Sequence, residues 1–264
     1  MIGKGGVMKK KLFIAVLLFG FIGIFMIPWG CGSSNDAPPA EQKQKLNFYF
    51  GLPEKPVYSK SVVDSPKSKY VFDPVLQFDL VRHDFIVKNT SDHMLEFKKV
   101  QSCCGSLVEA YSPQIPAGKE GVIKTVLLTD RRGGEEIHGT IRAITNDPKH
   151  PEWTIDISCF VKKFADISVH TIMLNGSWRK TIEGSSVVIP VKEYPFKITG
   201  LKVKKGQDIT YEYKEIKQAG KQAYLIMAKN IRKTAGGIRD TIYVQTDNPS
   251  RPEFIIRVLG KVTD

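Results

Sequence analysis

The sequence predicts an all-β protein made of two tandem antiparallel β-sandwiches, which follow an N-terminal signal or anchor and a flexible tether. A segment at Gly139–Val161, GTIRAITNDPKHPEWTIDISCFV, returns at Asp240–Val262 as DTIYVQTDNPSRPEFIIRVLGKV, and such a repeat indicates two copies of one module. Each copy reads as a hairpin, with two β-rich runs joined by a turn of Asn, Asp and Pro. No run shows convincing helical periodicity, so the remaining elements are also expected to be strands.

The N-terminal segment 1–31 reads as a signal peptide or membrane anchor. Lys9-Lys10-Lys11 precedes the apolar run Leu12–Trp29, and Cys31 follows Gly30 in the manner of a lipoprotein signal. Three alternatives stay open: acylation at Cys31, an uncleaved anchor helix with its N-terminus in the cytoplasm, or cleavage and release. All three place the rest of the chain outside the cytoplasm, in a bacterial cell envelope.

Residues 32–45 form a polar, proline-containing stretch that predicts a flexible tether. The first module is expected at 46–164 and the second at 165–264. Within the first module, Leu46–Phe50 is a candidate opening strand, and Gly51–Ser68, with its three prolines, is expected to be a loop.

In the first module, short alternating runs separated by turn residues predict strands at Tyr70–Phe72, Leu80–Lys88, Leu95–Val100, Leu107–Tyr111 and Gly121–Leu128, and the last pair of strands within Gly139–Val161. The second repeats the plan at Asp166–Thr171, Ser185–Val191, Phe196–Val203, Ile209–Tyr213, Ala223–Ala228, Thr241–Gln245 and Glu253–Val262. Strands of this length and spacing are typical of immunoglobulin-like sandwiches. In the last strand of the first module, one face should form the core: Trp153, Ile155, Ile157, Cys159 and Val161.

The formal charge is +12, and apart from the leader lysines the basic character belongs mainly to the second module. A solvated surface is the expected role, while a lipid headgroup or acidic partner stays open and nucleic acid is not expected. Two basic turns, Arg131-Arg132 and Arg232-Lys233, lie at equivalent corners of the copies before a double glycine. They are candidate anion-binding turns, although exposed hairpin tips have the same composition.

The pattern Phe85–Asp92, Leu95–Phe97, Ser102-Cys103 and Thr145–Pro148 resembles the bacterial Ig-like family of unknown function DUF1573, which is related to Hydin-type modules. The resemblance implies an exported or membrane-anchored envelope protein with seven-stranded sandwiches and no agreed activity. It covers the first module, and the second only through its last hairpin. The family usually shows Ser-Cys-Gly-Cys where this chain has Ser102-Cys103-Cys104-Gly105, so no role of that cysteine pair carries over to Cys104.

The cysteines are the main candidates for chemistry. If Cys31 is acylated, the three that remain are Cys103, Cys104 and Cys159, in a compartment where disulfides form. A bridge between the adjacent pair is disfavoured, because neighbouring Cα atoms lie about 3.8 Å apart, below the usual disulfide range. Two alternatives stay open: Cys159 bridged to one of the pair, or all three reduced.

The competing functional interpretation is a thiol pair, Cys103 and Cys104, that exchanges disulfides or binds a soft metal with help from His93 and Met94. The histidines lack zinc-ligand spacing, and neither a nucleotide-binding loop nor a nucleophile elbow is present. The sequence therefore predicts no catalysis and no cofactor. It predicts a membrane-tethered scaffold that binds another envelope protein or polymer, and the alternative is a periplasmic redox or metal-handling accessory.

Overall fold

The computed structural model of the chain describes residues 57–264. The expected signal segment, Cys31, the tether and the candidate strand Leu46–Phe50 therefore lie outside the described residues. In residues 57–264 every element is a strand, which confirms the all-β prediction. No helix long and apolar enough to cross a membrane occurs between residues 57 and 264.

The first ten strands form one sandwich of two sheets. The strands are β1 (Val57–Val63), β2 (Lys67–Val71), β3 (Val75–Leu76), β4 (Leu80–Lys88), β5 (Leu95–Ser102), β6 (Ser106–Tyr111), β7 (Gln114–Ile115), β8 (Glu120–Leu128), β9 (Glu136–Thr145) and β10 (Glu152–Lys162). One sheet has the order β1-β4-β8-β6 and the other the order β2-β10-β9-β5-β7, with β3 also paired to β10.

The remaining strands form the second sandwich. They are β11 (Ala165–Ile167), β12 (Thr171–Met173), β13 (Gly176–Ser177), β14 (Glu183–Pro190), β15 (Ile198–Val203), β16 (Ile209–Gln218), β17 (Lys221–Asn230), β18 (Gly236–Thr246) and β19 (Glu253–Thr263). The sheet orders are β11-β14-β17-β16 and β12-β19-β18-β15, with β13 also paired to β19. In both sandwiches this is the strand order of an immunoglobulin-type fold.

The antiparallel description holds for the main strands and needs one correction at the edges. Strands β1, β2 and β3 run parallel to their neighbours β4 and β10, and β12 and β13 run parallel to β19. Parallel pairing is possible for these edge strands because each is far from its partner in the sequence, so that no tight hairpin has to join the two. The stretch predicted as the single strand Asp166–Thr171 is divided into two strands. Strand β11 pairs with β14 in one sheet, and β12 pairs with β19 in the other.

The predicted loop Gly51–Ser68 was also wrong, because it contains β1. Pro53 and Pro56 precede this strand and Pro66 follows it, so the prolines bound the strand without interrupting it. The hydrophobic core of the first sandwich contains the whole predicted face of β10, from Trp153 to Val161. Alternation of side chains between the two faces of a strand accounts for that agreement.

Candidate functional site

The two adjacent cysteines form a tight corner between β5 and β6. The Cys103 carbonyl accepts hydrogen bonds from the Ser106 backbone N–H at 3.4 Å and from its hydroxyl at 3.0 Å. Cys104 has a φ of 63° and Gly105 a φ of 101°, so two consecutive residues take left-handed conformations. Both thiols are free and exposed to solvent.

The electrostatics of the corner do not favour a thiolate. A hydrogen bond with the Cys103 side chain raises the pKa of Cys104, and burial adds a smaller effect in the same direction. Arg132 opposes this with its positive charge, but its influence is the weakest of the contributions. Because the thiolate is the nucleophile and the metal ligand, a raised pKa works against disulfide exchange at neutral pH.

The corner has a structural counterpart in the second sandwich. In the first sandwich, Gly139 lets the Cys103 backbone come close to β9, since a Cβ at position 139 would lie 3.0 Å from the Cys103 carbonyl oxygen. The repeat places Asp240 at the position of Gly139, and its buried carboxylate accepts hydrogen bonds from the backbone N–H groups of Lys205 and Gly206 at 3.0 and 2.9 Å. Both copies therefore secure the same turn, and only the first places thiols in it.

Cys159 is separate from this corner and lies in the core. Its side chain is 1% exposed, and its Sγ lies 3.8 Å from the Asp73 carbonyl oxygen. Burial raises the pKa of Cys159 to about 11. The structure carries it as a free thiol, like Cys103 and Cys104. That arrangement is the fully reduced alternative of the two that the sequence left open.

The repeat pairs Cys159 with Gly260, and packing explains the difference. A Cβ at Gly260 would overlap the carbonyl oxygen of Leu174, because the incoming chain crosses β19 closely there. In the first sandwich the equivalent crossing, at Asp73, leaves room for a thiol side chain. The two copies therefore differ at this position because the crossing chain lies closer to Gly260 than to Cys159. The Cys159 side chain fills the additional space, which is a packing role.

The structure does not bring His93 and Met94 to the two cysteines as helping metal ligands. His93 and Met94 precede β5, and Cys103 and Cys104 follow it, with eight strand residues between them. At a rise of about 3.3 Å per residue the two groups lie roughly 26 Å apart. His93 instead contacts Asp92, with 3.0 Å between Nδ1 and Oδ1. Within residues 57–264 no cluster of three or more His, Cys, Asp or Glu side chains is placed to hold a metal ion.

The first candidate anion-binding turn is engaged within the protein. Arg131 donates a hydrogen bond from Nη2 to Thr171 Oγ1 at 2.9 Å, across to the second sandwich. Arg132 forms an ion pair with Glu135 at 3.1 Å. Both guanidinium groups therefore already have acceptors inside the chain.

The second basic turn differs in its lysine. Arg232 forms an ion pair with Asp208 at 3.2 Å, and its backbone N–H donates to Asn230 Oδ1 at 3.0 Å. Lys233 is exposed. The two turns lie in different sandwiches, where the first connects β8 to β9 and the second connects β17 to β18, each time from one sheet to the other.

A buried histidine that the sequence did not single out, His83, lies on β4 next to β1. The Ser59 Oγ is 2.7 Å from His83 Nδ1, and the Ser61 Oγ is 2.8 Å from Nε2. Tyr70 and Phe85 pack on the ring, each with a centroid separation of 4.3 Å. Burial lowers the pKa of His83 to about 4, so the ring is neutral at pH 7, with one serine donating and the other accepting.

This arrangement holds β1 on its sheet. Serine and histidine in contact also occur in nucleophilic sites, but there one ring nitrogen faces the serine and an acidic or amide group orients the other. Here two serines of the same strand occupy both nitrogens of His83, and aromatic rings cover its faces. No local sequence pattern indicates these contacts, because they join residues 22 to 24 positions apart and the two serines lie in a stretch expected to be a loop.

The two sandwiches meet through a joint built around Phe78. This residue has a φ of 72°, is fully buried, and belongs to the hydrophobic core of the second sandwich although it precedes β4 of the first. Its ring centroid lies 5.1 Å from that of Phe254. Arg257 of β19, which is 3% exposed, forms an ion pair with Asp130 at 2.6 Å.

Two further contacts secure the joint. The buried Arg251 forms an ion pair with Asp79. The Gln77 Oε1 accepts hydrogen bonds from the backbone N–H groups of Phe164 and Ala165 at 3.0 and 3.2 Å. Phe164 and Ala165 begin the second sandwich, so Gln77 fixes the point where the chain passes from one sandwich to the other.

A half-open cleft of about 480 Å³ lies beside this joint and is lined by both sandwiches. Four of its fourteen lining residues are aromatic, and two are acidic: Tyr58, Tyr70, Phe72, Tyr194, Asp73 and Asp79. The Tyr58 hydroxyl donates a hydrogen bond to Asp84 Oδ2 at 2.7 Å, which orients a ring that stays 59% exposed. Concave aromatic surfaces with a few polar groups are typical of binding sites.

The fold and these sites define a tandem β-sandwich protein, and comparison with known proteins identifies the family of its first half. Residues 63–161 match the family model described as "Protein of unknown function (DUF1573)". The first sandwich therefore matches the DUF1573 family, which confirms the resemblance seen in the sequence. The second sandwich lies outside the matched residues.

Among solved structures, a protein of unknown function from Porphyromonas gingivalis W83 is 13% identical, with 74% of this chain and 96% of that chain covered and a TM-score of 0.30. The secreted serine protease VesC from Vibrio cholerae is 7% identical, with coverages of 73% and 50% and a TM-score of 0.29. SporoSAG from Toxoplasma gondii is 11% identical, with coverages of 77% and 99% and a TM-score of 0.21. The search of curated proteins found no match.

Proposed function

We propose that this protein is a non-catalytic scaffold of the bacterial cell envelope, tethered to a membrane by its N-terminal segment, which binds another envelope component through the cleft at the joint. The single observation that carries the proposal is the aromatic cleft lined by both sandwiches. Binding sites of this kind use exposed tyrosines because each combines apolar area with a hydroxyl. Tyr58 has that character here.

The joint supports this proposal energetically. Removing one partner of a buried ion pair costs about 3–5 kcal/mol because the other charge is left uncompensated. Two such pairs, at Arg251 and Arg257, together with the buried Phe78, hold the two walls of the cleft in one arrangement. A partner that binds there meets a preformed surface and spends little free energy on ordering it.

The proposed location is supported by the sequence alone. Lys9-Lys10-Lys11, the apolar run Leu12–Trp29 and Cys31 form the export signal, and the polar stretch 32–45 separates it from the sandwiches. The partner is accordingly expected among envelope proteins or envelope polymers. The thiol-exchange alternative is weaker, because the pKa of Cys104 is raised and not lowered.

Affinity capture from solubilised envelope membranes tests the proposal, with the full-length chain as bait. Tyr58→Ser is expected to reduce capture of a saturable partner by about tenfold, the size of a hot-spot truncation. Phe160→Ser is the matched control, since Phe160 is an exposed aromatic residue of the same sandwich that does not line the cleft. Capture should also survive Cys103→Ser/Cys104→Ser.

Two results would count against the scaffold. Equal capture by the wild-type chain and the Tyr58→Ser chain would remove the cleft from the proposal. A partner held by a mixed disulfide, and lost with Cys103→Ser/Cys104→Ser, would establish the thiol-exchange function in its place.

A further inference from the structure

Strand β16 is the last strand of its sheet and the longest free edge in the described part of the chain. Its ten residues pair with β17 in ten consecutive positions without a bulge. Its other side carries no strand within residues 57–264. A row of unpaired backbone N–H and C=O groups is a template for a further strand.

Most other sheet edges in residues 57–264 are short or irregular, which is how β-proteins ordinarily prevent edge pairing, and the longest regular one, β1, has seven residues. Strand β7 has two residues, and β11 and β12 have three each. Strands β6 and β15 contain register shifts where they pair with β8 and β18. Strand β16 is neither short nor irregular, so the charge of its side chains is the one remaining feature that opposes edge pairing.

Those charges are complementary to a second copy of the same strand. In an antiparallel pair related by a two-fold axis, one residue lies opposite its own copy, because hydrogen-bonded and non-hydrogen-bonded pairs alternate. When that residue is Tyr213, Glu212 lies opposite Lys214 of the second copy, and the symmetry repeats the pair. Glu212 and Lys214 share one face, with 3.6 Å between their charged atoms, and each side chain is more than 60% exposed.

The neighbouring registers are excluded by the same side chains. Centring the pair on Glu212, Lys214 or Glu215 would place that charge directly against its own copy, which is unfavourable. Centring it on Thr210, Tyr211 or Ile216 would run the pairing past Ile209 or Gln218, the two ends of the strand, and leave at most five residues paired. The sequence of β16 therefore selects one register for self-pairing.

We propose that β16 is a self-association surface, through which two copies of this chain pair antiparallel about Tyr213 and join their sheets into one. The pairing lies on the β16 edge of the second sandwich and involves none of the residues that line the cleft at the joint. It therefore stands or falls independently of the proposed function.

Charge reversal in the full-length chain tests the pairing, with mass measured by sedimentation in detergent solution. Glu212→Lys places a lysine against Lys214 of the partner at both symmetry-related positions, and Lys214→Glu likewise places a glutamate against Glu212. Each variant alone is expected to weaken the dimer by about tenfold. Mixing the two variants restores complementary pairs, so a heterodimer should return, and the double variant Glu212→Lys/Lys214→Glu should again form a homodimer.

A second measurement fixes the register and does not depend on affinity. In a background carrying Cys103→Ser and Cys104→Ser, a chain with Glu212→Cys is mixed with a chain with Lys214→Cys under mild oxidation. Directly opposite Cα atoms lie about 4.5–5.5 Å apart, within disulfide range, so the mixture should cross-link, with the crossed species as the main product. Both sites are exposed, and neither substitution is expected to impair folding.

Lys202→Glu on β15 is the control, since it changes the same amount of charge in the same sandwich at a different, bulged edge. It should leave the dimer unchanged. A chain that is monomeric at every concentration, or a dimer insensitive to both charge reversals, would overturn the proposal. Cross-linking that is as strong in the Glu212→Cys chain alone, or in the Lys214→Cys chain alone, as in the mixture would overturn the register.

Discussion

The neutral, buried His83 makes the stability of the first sandwich depend on pH. Burial lowers its pKa to about 4, whereas an unfolded histidine has a pKa of about 6.5. Between these values the unfolded chain binds a proton that the folded chain does not. The contribution is therefore fully present above pH 6.5 and is lost as the pH falls toward 4.

The magnitude follows from the two pKa values. From pH 8 to pH 5, this one group should lower the free energy of unfolding by about 2 kcal/mol. The steepest part lies near pH 5.5, where the slope approaches 1.4 kcal/mol per pH unit. Carboxylates contribute little in this range because their ordinary pKa values lie near 4.

Urea unfolding followed by tryptophan fluorescence measures the effect, in chains that carry Trp29→Phe and Trp178→Phe so that the signal comes from Trp153 in the core of the first sandwich. His83→Gln is the comparison, because an amide can still donate and accept hydrogen bonds between Ser59 and Ser61 but does not titrate. Burial also lowers the pKa of His170, and its contribution cancels in the difference between the two chains. If the His83→Gln chain loses as much stability from pH 8 to pH 5 as the wild type, the reasoning is refuted.

Two other outcomes are expected. In the native chain Cys103 and Cys104 should react with a thiol reagent and Cys159 only after unfolding, so rapid native reaction at Cys159 would contradict its burial. Gly260→Ala should lower the unfolding free energy of the second sandwich by about 1–3 kcal/mol, because its methyl group meets backbone. Gly237→Ala, where a Cβ contacts nothing within 4 Å, is the control, and equal melting temperatures for the two variants would disprove the clash.

The period-two pattern was sufficient for the central strands. Leu80–Lys88 was predicted with the bounds that β4 has, and the buried face of β10 was predicted residue by residue. Each of these strands has one face toward a core and is long enough for alternation to show. Local sequence then determines both the element and its orientation.

The edge strands could not be predicted in the same way. Strand β1 pairs with β4 across more than twenty residues, and Tyr58 and Val62 are exposed, so its apolar residues do not mark a buried face. The hydrogen bonds of His83 depend on this pairing and were missed with it. Parallel pairing leaves no turn signal between the partners, and local sequence therefore contains nothing that reports it.

Differences between the two copies of the repeat, more than their similarities, record how the sandwiches meet. Thr154 and Asp156 on the outer face of β10 correspond to Ile255 and Arg257 on β19. The first pair contacts solvent, whereas Ile255 and Arg257 are 1% and 3% exposed because the first sandwich covers them. From the sequence, an apolar residue and an arginine on the outer face of a strand resemble ordinary variation between exposed residues. The ion pair of Arg257 with Asp130 shows that this face belongs to the joint. The outer faces of otherwise equivalent strands therefore determine how the two sandwiches of a tandem repeat meet. Comparing the two copies of the sequence can locate the joint once the positions that face the two cores are left out.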